Sequence, residues 1–144
     1  MTVDLDRELV GKIKGLRMEF KDEPQSELLI RIPNRNKDVD YEVEVETKEF
    51  TSLCPLNPSQ PDYAKLTIIY SPDKWCVELK SLKFYLVSFR QVLVFHEEVP
   101  ATILKYLVAL LQPKYLQVEG VFTTRGGLDT TVLADYDRED PAGS

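Results

Sequence analysis

The chain predicts an α+β fold in which antiparallel strands carry two helices packed on one face. Three observations predict it. Val39, Tyr41, Val43, Val45 and Thr47 alternate with Asp40, Glu42, Glu44 and Glu46, a period of two that puts apolar and charged side chains on opposite faces of a strand. Leu79, Leu82, Tyr85, Leu86 and Phe89 fall within about 120° of arc at ~100° per residue, the stripe of a core-facing helix. Thr124-Arg125-Gly126-Gly127 supplies turn chemistry between two alternating runs.

Residues 1 to about 15 mix Asp4, Asp6, Arg7, Glu8, Lys12 and Lys14 with single apolar residues, so they hold no signal-peptide core and read as a flexible segment. Leu28 to Ile32 reads as a strand paired with the Val39 to Thr47 strand, the turn between them made by Pro33-Asn34-Arg35-Asn36. Three prolines between Phe50 and Asp62 predict an ordered loop. Ala64 to Tyr70 resumes β character. Val77 to Arg90 is the first helix, with Lys80, Lys83 and Arg90 clustered on another side. Glu78 projects with the apolar residues, which suits a carboxylate only if it binds something or serves the helix N-terminus. Pro100 to Gln112 is the second helix, stopped by Pro113. Leu116, Val118, Gly120 and Phe122 then alternate with polar residues, and a last strand runs to about Tyr136 before an acidic tail, residues 137–144.

At 144 residues and 43% hydrophobic content, residues 1–144 form one domain with one core. So small a sheet leaves its edges open, which favours assembly of several subunits into a closed barrel. A net charge of -6 argues against direct nucleic-acid binding, which needs clustered Lys and Arg. No apolar run approaches the ~20 residues that span a bilayer, so a soluble, cytoplasmic protein without membrane contact is expected. Two cysteines and one histidine fall short of zinc-ligand spacing, and no metal is expected.

Cys54 is the first candidate for chemistry, because it lies among polar and proline residues where loops present reactive groups. Cys76, between Trp75 and Val77, suits a structural role. His96-Glu97, the lysines of the first helix and Arg125 would each read, alone, as surface or turn residues.

Together they read differently. Glu49-Phe50-Thr51-Ser52-Leu53-Cys54-Pro55, Gln60-Pro61-Asp62-Tyr63, Glu78-Leu79-Lys80-Ser81-Leu82-Lys83-Phe84-Tyr85, Ser88-Phe89-Arg90, Phe95-His96-Glu97 and Phe122-Thr123-Thr124-Arg125-Gly126-Gly127 occur in the order seen in the NADPH-dependent 7-cyano-7-deazaguanine reductases of the queuosine pathway. The chain resembles the single-module branch of that family. It departs from its relatives in having Leu56-Asn57-Pro58-Ser59, one residue longer than their usual loop.

The resemblance implies a tunnelling fold, in which subunits join antiparallel sheets into a barrel with active sites between neighbours, commonly as two stacked pentamers. It also implies roles. Cys54 would attack the nitrile to give a thioimide, Asp62 would protonate the nitrogen, and His96 would sit beside the base and the reacting group. Val77, Glu78, Leu79, His96 and Glu97 would hold the substrate, with Glu97 accepting from its paired N–H donors. Lys80 and Lys83 would hold NADPH, with Arg125 adding to that site. A homologous amidinotransferase acting on tRNA, a pterin cyclohydrolase or aldolase of the same superfamily, and a purine-binding module without catalysis are the rival readings.

Overall fold

A computed structural model of the chain describes residues 6–140. In order the elements are helix α1 (Arg7–Lys14), a 3-10 turn (Ser26–Leu28), β1 (Arg31–Pro33), β2 (Val43–Cys54), β3 (Asn57–Ser71), β4 (Trp75–Val77), α2 (Leu79–Val87), a second 3-10 turn (Ser88–Gln91), α3 (Glu98–Leu111), β5 (Tyr115–Arg125) and β6 (Leu128–Asp137). The main sheet is antiparallel in the order β2-β3-β5-β6, and β1 pairs with β4 in a separate ribbon.

The core lies between that sheet and helices α2 and α3. Leu66, Ile68, Leu116 and Val118 point from the sheet, and Leu82, Tyr85, Val99, Ile103, Leu107 and Leu111 meet them from the helices, all buried. Each such side chain contributes about 1.5–3 kcal/mol of burial, so this layer holds the two helices on one face. Gln112 adopts a left-handed conformation (φ 47°) that ends α3, and Pro113 prevents its continuation.

Three sequence expectations are corrected. The proline-rich stretch from Phe50 to Asp62 is no loop: β2 continues to Cys54 and β3 begins at Asn57. Pro55 lies in the turn between the two strands, and Pro58 and Pro61 are tolerated because β3 gains β5 as a partner only from Ala64 onward, leaving an open edge where a missing N–H costs nothing. The segment at Leu28 to Ile32 does not pair with β2; a short β1 pairs with Trp75–Val77 instead. Within the segment expected to be flexible, Arg7–Lys14 forms α1, capped by the Asp6 carboxylate on the Glu8 amide; residues 1–5 and 141–144 lie outside the described residues.

One register shift breaks the alternation of β2. Val43 to Thr47 pair in step with Tyr70 to Leu66, but the next pair is Phe50 with Ala64, so β2 holds one extra residue there. A single extra residue exchanges the two faces of a strand. Past the bulge it is therefore Phe50 and Ser52, not Glu49 and Thr51, that face the helices and are buried.

Among the described residues, no helix is long and apolar enough to cross a membrane.

Candidate active site

Cys54 ends β2, two positions beyond buried Ser52 and so on the same side of the strand. Leu53 pairs with Pro61 and Cys54 with Asn57, which leaves Pro58, Ser59 and Gln60 bulged out of the ladder beside the cysteine. The Leu53 backbone also reaches the chain beyond α2: its N–H donates to the Val92 carbonyl at 2.9 Å, and its carbonyl accepts from the Val94 N–H at 3.1 Å. That clamp lays residues 92–97 along the end of β2. Cys54 is half-buried with a free thiol.

The start of α3 sets the position of His96. The Glu98 carboxylate accepts from the Phe95 N–H at 2.8 Å, and the Glu98 and Val99 amides donate back to the Phe95 and His96 carbonyls. Gly120 lets α3 approach, since a Cβ there would sit 3.0 Å from the Phe122 ring and 3.3 Å from both Leu66 and Pro100. The His96 ring consequently stacks on Phe122, with centroids 4.0 Å apart and planes 7° from parallel. Its Nε2 lies 3.4 Å from Asp62 Oδ2. Glu97, the next residue, is exposed.

Asp62 is the centre of this end of the molecule. Its side chain is only 5% exposed, and its other oxygen pairs with Arg125 Nη2 at 2.5 Å. The same nitrogen donates to the Pro61 carbonyl at 2.6 Å, a carbonyl on the open edge of β3. Arg125 reaches it through a second bulge. The β5–β6 register shifts by one between Phe122 and Arg125, which turns Arg125 onto the face shared by Phe122 and Asp62. Opposite Asp62 across the β2–β3 pair lies Ser52, whose buried hydroxyl has no hydrogen-bond partner among the described residues.

The remaining candidates lie elsewhere. Val77, on β4, donates its N–H to the Tyr70 hydroxyl at 3.1 Å. Tyr70 stands eight positions along β3 from Asp62, about 26 Å at ~3.3 Å per residue. Val77, Glu78 and Leu79 line a largely apolar cavity of about 550 Å³ with Val10, Ile13 and Tyr41. Glu78 serves the helix N-terminus: its carboxylate accepts from the Lys80 and Ser81 amides at 2.9 and 2.7 Å, which accounts for its inward position. Lys80 Nζ donates to the Ile13 and Lys14 carbonyls at the end of α1. Lys83 is exposed and lines a groove between α2 and β2 that also contains Glu46 and Glu49. The structure thus brings Cys54, Asp62, His96 and Arg125 to one end of the sheet, and Val77, Glu78, Leu79 and Lys80 to the other.

Sequence reasoning missed several supports. Ser81, inside the lysine-bearing motif, is fully buried and ties α2 to the chain before β1, accepting from the Ile30 N–H at 3.0 Å and donating to the Glu78 carbonyl at 2.7 Å. Ser88 does the same for Gln25. A serine on the apolar stripe of a helix was the available signal. In the cavity, the Tyr41 hydroxyl donates to Asn34 Oδ1 at 2.7 Å and lies 3.6 Å from Cys76 Sγ. Burial, and then the Cys76 thiol beside it, push the Tyr41 phenol up to about 12. Burial likewise raises Tyr70. No group of His, Cys, Asp and Glu among the described residues could hold a metal ion.

Comparison with known proteins gives this geometry a family. Residues 61–141 match the family model described as QueF-like protein. A protein of Thermomicrobium roseum named NADPH-dependent 7-cyano-7-deazaguanine reductase is 52% identical over 119 residues, covering 81% of this chain and 92% of its own length. Proteins of the same name from Magnetococcus marinus (44% identical, 83% and 92% covered) and Chlorobium phaeobacteroides (48%, 78% and 94%) are also similar. Among solved structures, a crystal structure of the archaeosine synthase QueF-Like in the apo form superposes with a TM-score of 0.61 at 23% identity, over 65% of this chain and 91% of that one. That likeness identifies the fold as a tunnelling fold. The chain belongs to the QueF-like family of NADPH-dependent 7-cyano-7-deazaguanine reductases.

Proposed function

We propose that this protein reduces the nitrile of 7-cyano-7-deazaguanine to the aminomethyl group with NADPH, by way of a thioimide on Cys54. The observation that carries the proposal is the juxtaposition of Asp62 and His96 at the end of the hairpin that presents Cys54. A nitrile carbon is a sluggish electrophile, so it needs a sulfur nucleophile and a proton source for the nitrogen at the same moment. Asp62 and His96 are the two side chains that hold or move that proton. His96, stacked on Phe122, is fixed beside the bound base, and exposed Glu97 is free to accept from the paired N–H donors of a guanine-like edge.

For the cofactor, Lys80 and Lys83 stand three residues apart on one side of α2. Two ammonium groups fit a phosphate-bearing ligand in charge, although Glu46 and Glu49 share the groove with Lys83. Each NADPH, when bound, would supply one hydride, so two in succession would carry the nitrile oxidation level to the amine.

A base held by His96 and Glu97 lies far from Val77, Glu78 and Leu79 of the same chain. The same residues on a neighbouring copy are the ones that reach it, which makes the site a joint product of two chains. Both sheet edges, β2 and β6, are open to pairing. Leu56 (85% exposed), Tyr63, Leu93 and Phe95 form apolar surface beside the Cys54 end, of the kind that a partner covers. We assign the functional form as a homo-oligomer closed into a barrel.

The test is NADPH absorbance with 7-cyano-7-deazaguanine, alongside intact mass without cofactor. Two NADPH consumed per substrate and a Cys54 adduct in the cofactor-free sample are expected. An adduct without NADPH consumption would point to amidinotransfer, and neither signal would leave a binding module.

A further inference from the structure

We propose that helix α1 is a lid over the cavity at the Tyr70 end, latched by Lys80 and released when a cofactor phosphate takes that lysine. The inference rests on the reading that Lys80 holds NADPH, and it deepens that reading by giving the cofactor control of access to the cavity.

α1 is held lightly. None of its residues is fully buried, and Val10 and Ile13 are half-buried where they line the cavity with Tyr41, Val77 and Leu79. Among the described residues, its polar ties to the body of the fold come from one side chain: Lys80 Nζ donates to the Ile13 carbonyl at 3.1 Å and to the Lys14 carbonyl at 3.4 Å. These are the last carbonyls of the helix, where unsatisfied acceptors and the macrodipole both favour a cation. A helix of eight residues is too short to hold itself in water. Its docking and its helicity therefore depend on each other, and both depend on Lys80.

The same ammonium cannot fully serve two partners. It has three N–H donors, and α1 takes two of them while the side chain crosses the Phe84 ring, 5.5 Å from its centroid. The neighbouring Glu78 carboxylate is spent on the Lys80 and Ser81 amides, which leaves α1 and an incoming phosphate as the claimants. A phosphate offers charged acceptors in place of two neutral carbonyls, and charge-assisted hydrogen bonds are roughly twice as strong. Release leaves little unsatisfied on the helix. The Ile13 carbonyl keeps the Leu16 N–H at 3.3 Å, and the Lys14 carbonyl keeps Arg17 Nη1 at 3.4 Å. Both sides of the latch have an alternative partner, as a reversible device requires. A lid of this kind slows entry to the cavity by the cost of a local opening, and cofactor binding removes that delay.

NADP+ carries the phosphates of the cofactor without the hydride, and it is the probe. Amide exchange of residues 7–14 is followed by mass spectrometry with and without saturating NADP+, in wild type, Lys80→Gln and Val10→Ser/Ile13→Ser, and NADP+ affinity is measured by calorimetry. In wild type, NADP+ should speed exchange at residues 10–14 by about tenfold. Val10→Ser/Ile13→Ser weakens docking without adding charge. It should exchange fast from the start and bind NADP+ about three- to tenfold more tightly, because two partners linked through one lysine shift each other by the same factor. Lys80→Gln should also exchange fast, and should lose NADP+ affinity. Exchange that NADP+ leaves unchanged or slows overturns the proposal, as does an unchanged or weakened NADP+ affinity in Val10→Ser/Ile13→Ser. Unchanged NADP+ affinity in Lys80→Gln would instead sink the cofactor reading on which this one rests.

Discussion

The two ends of β3 are built on different principles. At the Asp62 end, charged groups are paired and clamped: Arg125 on Asp62, His96 on Phe122, and the Leu53 backbone on residues 92–94. At the Tyr70 end, a largely apolar cavity is roofed by α1 and edged by the capped start of α2. One end gathers ionisable groups beside a free thiol, and the other leaves an apolar hollow. Within a chain they stand about 26 Å apart along the strand, so on the proposed function each end would need a second copy to complete a site.

The largest effect that would separate the ends is loss of the nucleophile. Cys54→Ala should abolish the adduct and lower turnover by on the order of 10⁴-fold while leaving substrate binding measurable by calorimetry. Normal turnover would remove Cys54 from the mechanism. Asp62→Asn should come next, at about 10²–10⁴-fold in adduct formation.

Hybrid oligomers probe the division between the ends directly. Cys54→Ala and Glu78→Ala chains, each inactive alone, should regain activity after co-refolding, in about a quarter of sites for random mixing of two-chain sites. No regain at all would mean that each site draws on one chain, and the division would be wrong.

A smaller effect concerns the packing that delivers His96. Gly120→Ala places a methyl group against the Phe122 ring, Leu66 and Pro100, and should cost about 1–3 kcal/mol, read as a lowered denaturation midpoint. It should also displace the His96 ring and slow adduct formation. A stability within error of wild type would show that α3 gives way freely there.

The smallest effect belongs to the cavity. The raised Tyr41 phenol makes a stabilising contribution that is complete below the ordinary tyrosine range near pH 10 and fades as pH climbs toward about 12. An ultraviolet titration of the folded protein should show Tyr41 ionising after the exposed tyrosines, together with buried Tyr70 and Tyr85, and Tyr41→Phe should reduce that late component by one phenol. An undiminished late component in Tyr41→Phe would place Tyr41 among the ordinary tyrosines.

Much of this architecture was legible in the residues. The period-two runs from Val39 to Thr47 and from Leu116 to Phe122, the stripe from Leu79 to Phe89 and the proline boundaries of α3 each mark a real element, although the first strand begins only at Val43 and Leu79 is exposed rather than core-facing. The rest was hidden for identifiable reasons. The bulge near Lys48 and Glu49 breaks the alternation that would have extended β2 to Cys54, and the prolines after it imitate a loop while lying on a strand edge. β1 is three residues long and pairs with a strand more than forty positions away, a long-range choice that local pattern does not encode. For the site, motif order grouped Cys54, Asp62 and His96, and the structure places all three at one end of the sheet. Motif order carried no sign that Arg125 would meet Asp62, because that contact depends on one extra residue in β5.

The open edge of β3 has a consequence for how these chains find each other. An unpaired strand edge normally invites any passing extended segment to add itself, the first step toward aggregation. Along Asn57 to Tyr63 the invitation is withdrawn: Pro58 and Pro61 offer no N–H, and the Pro61 carbonyl is already taken by Arg125. The stretch beside the Cys54 thiol is therefore closed to stray strands. The outer strands β2 and β6 carry no proline, so strand addition in the proposed oligomer would fall there and leave the Cys54 end clear.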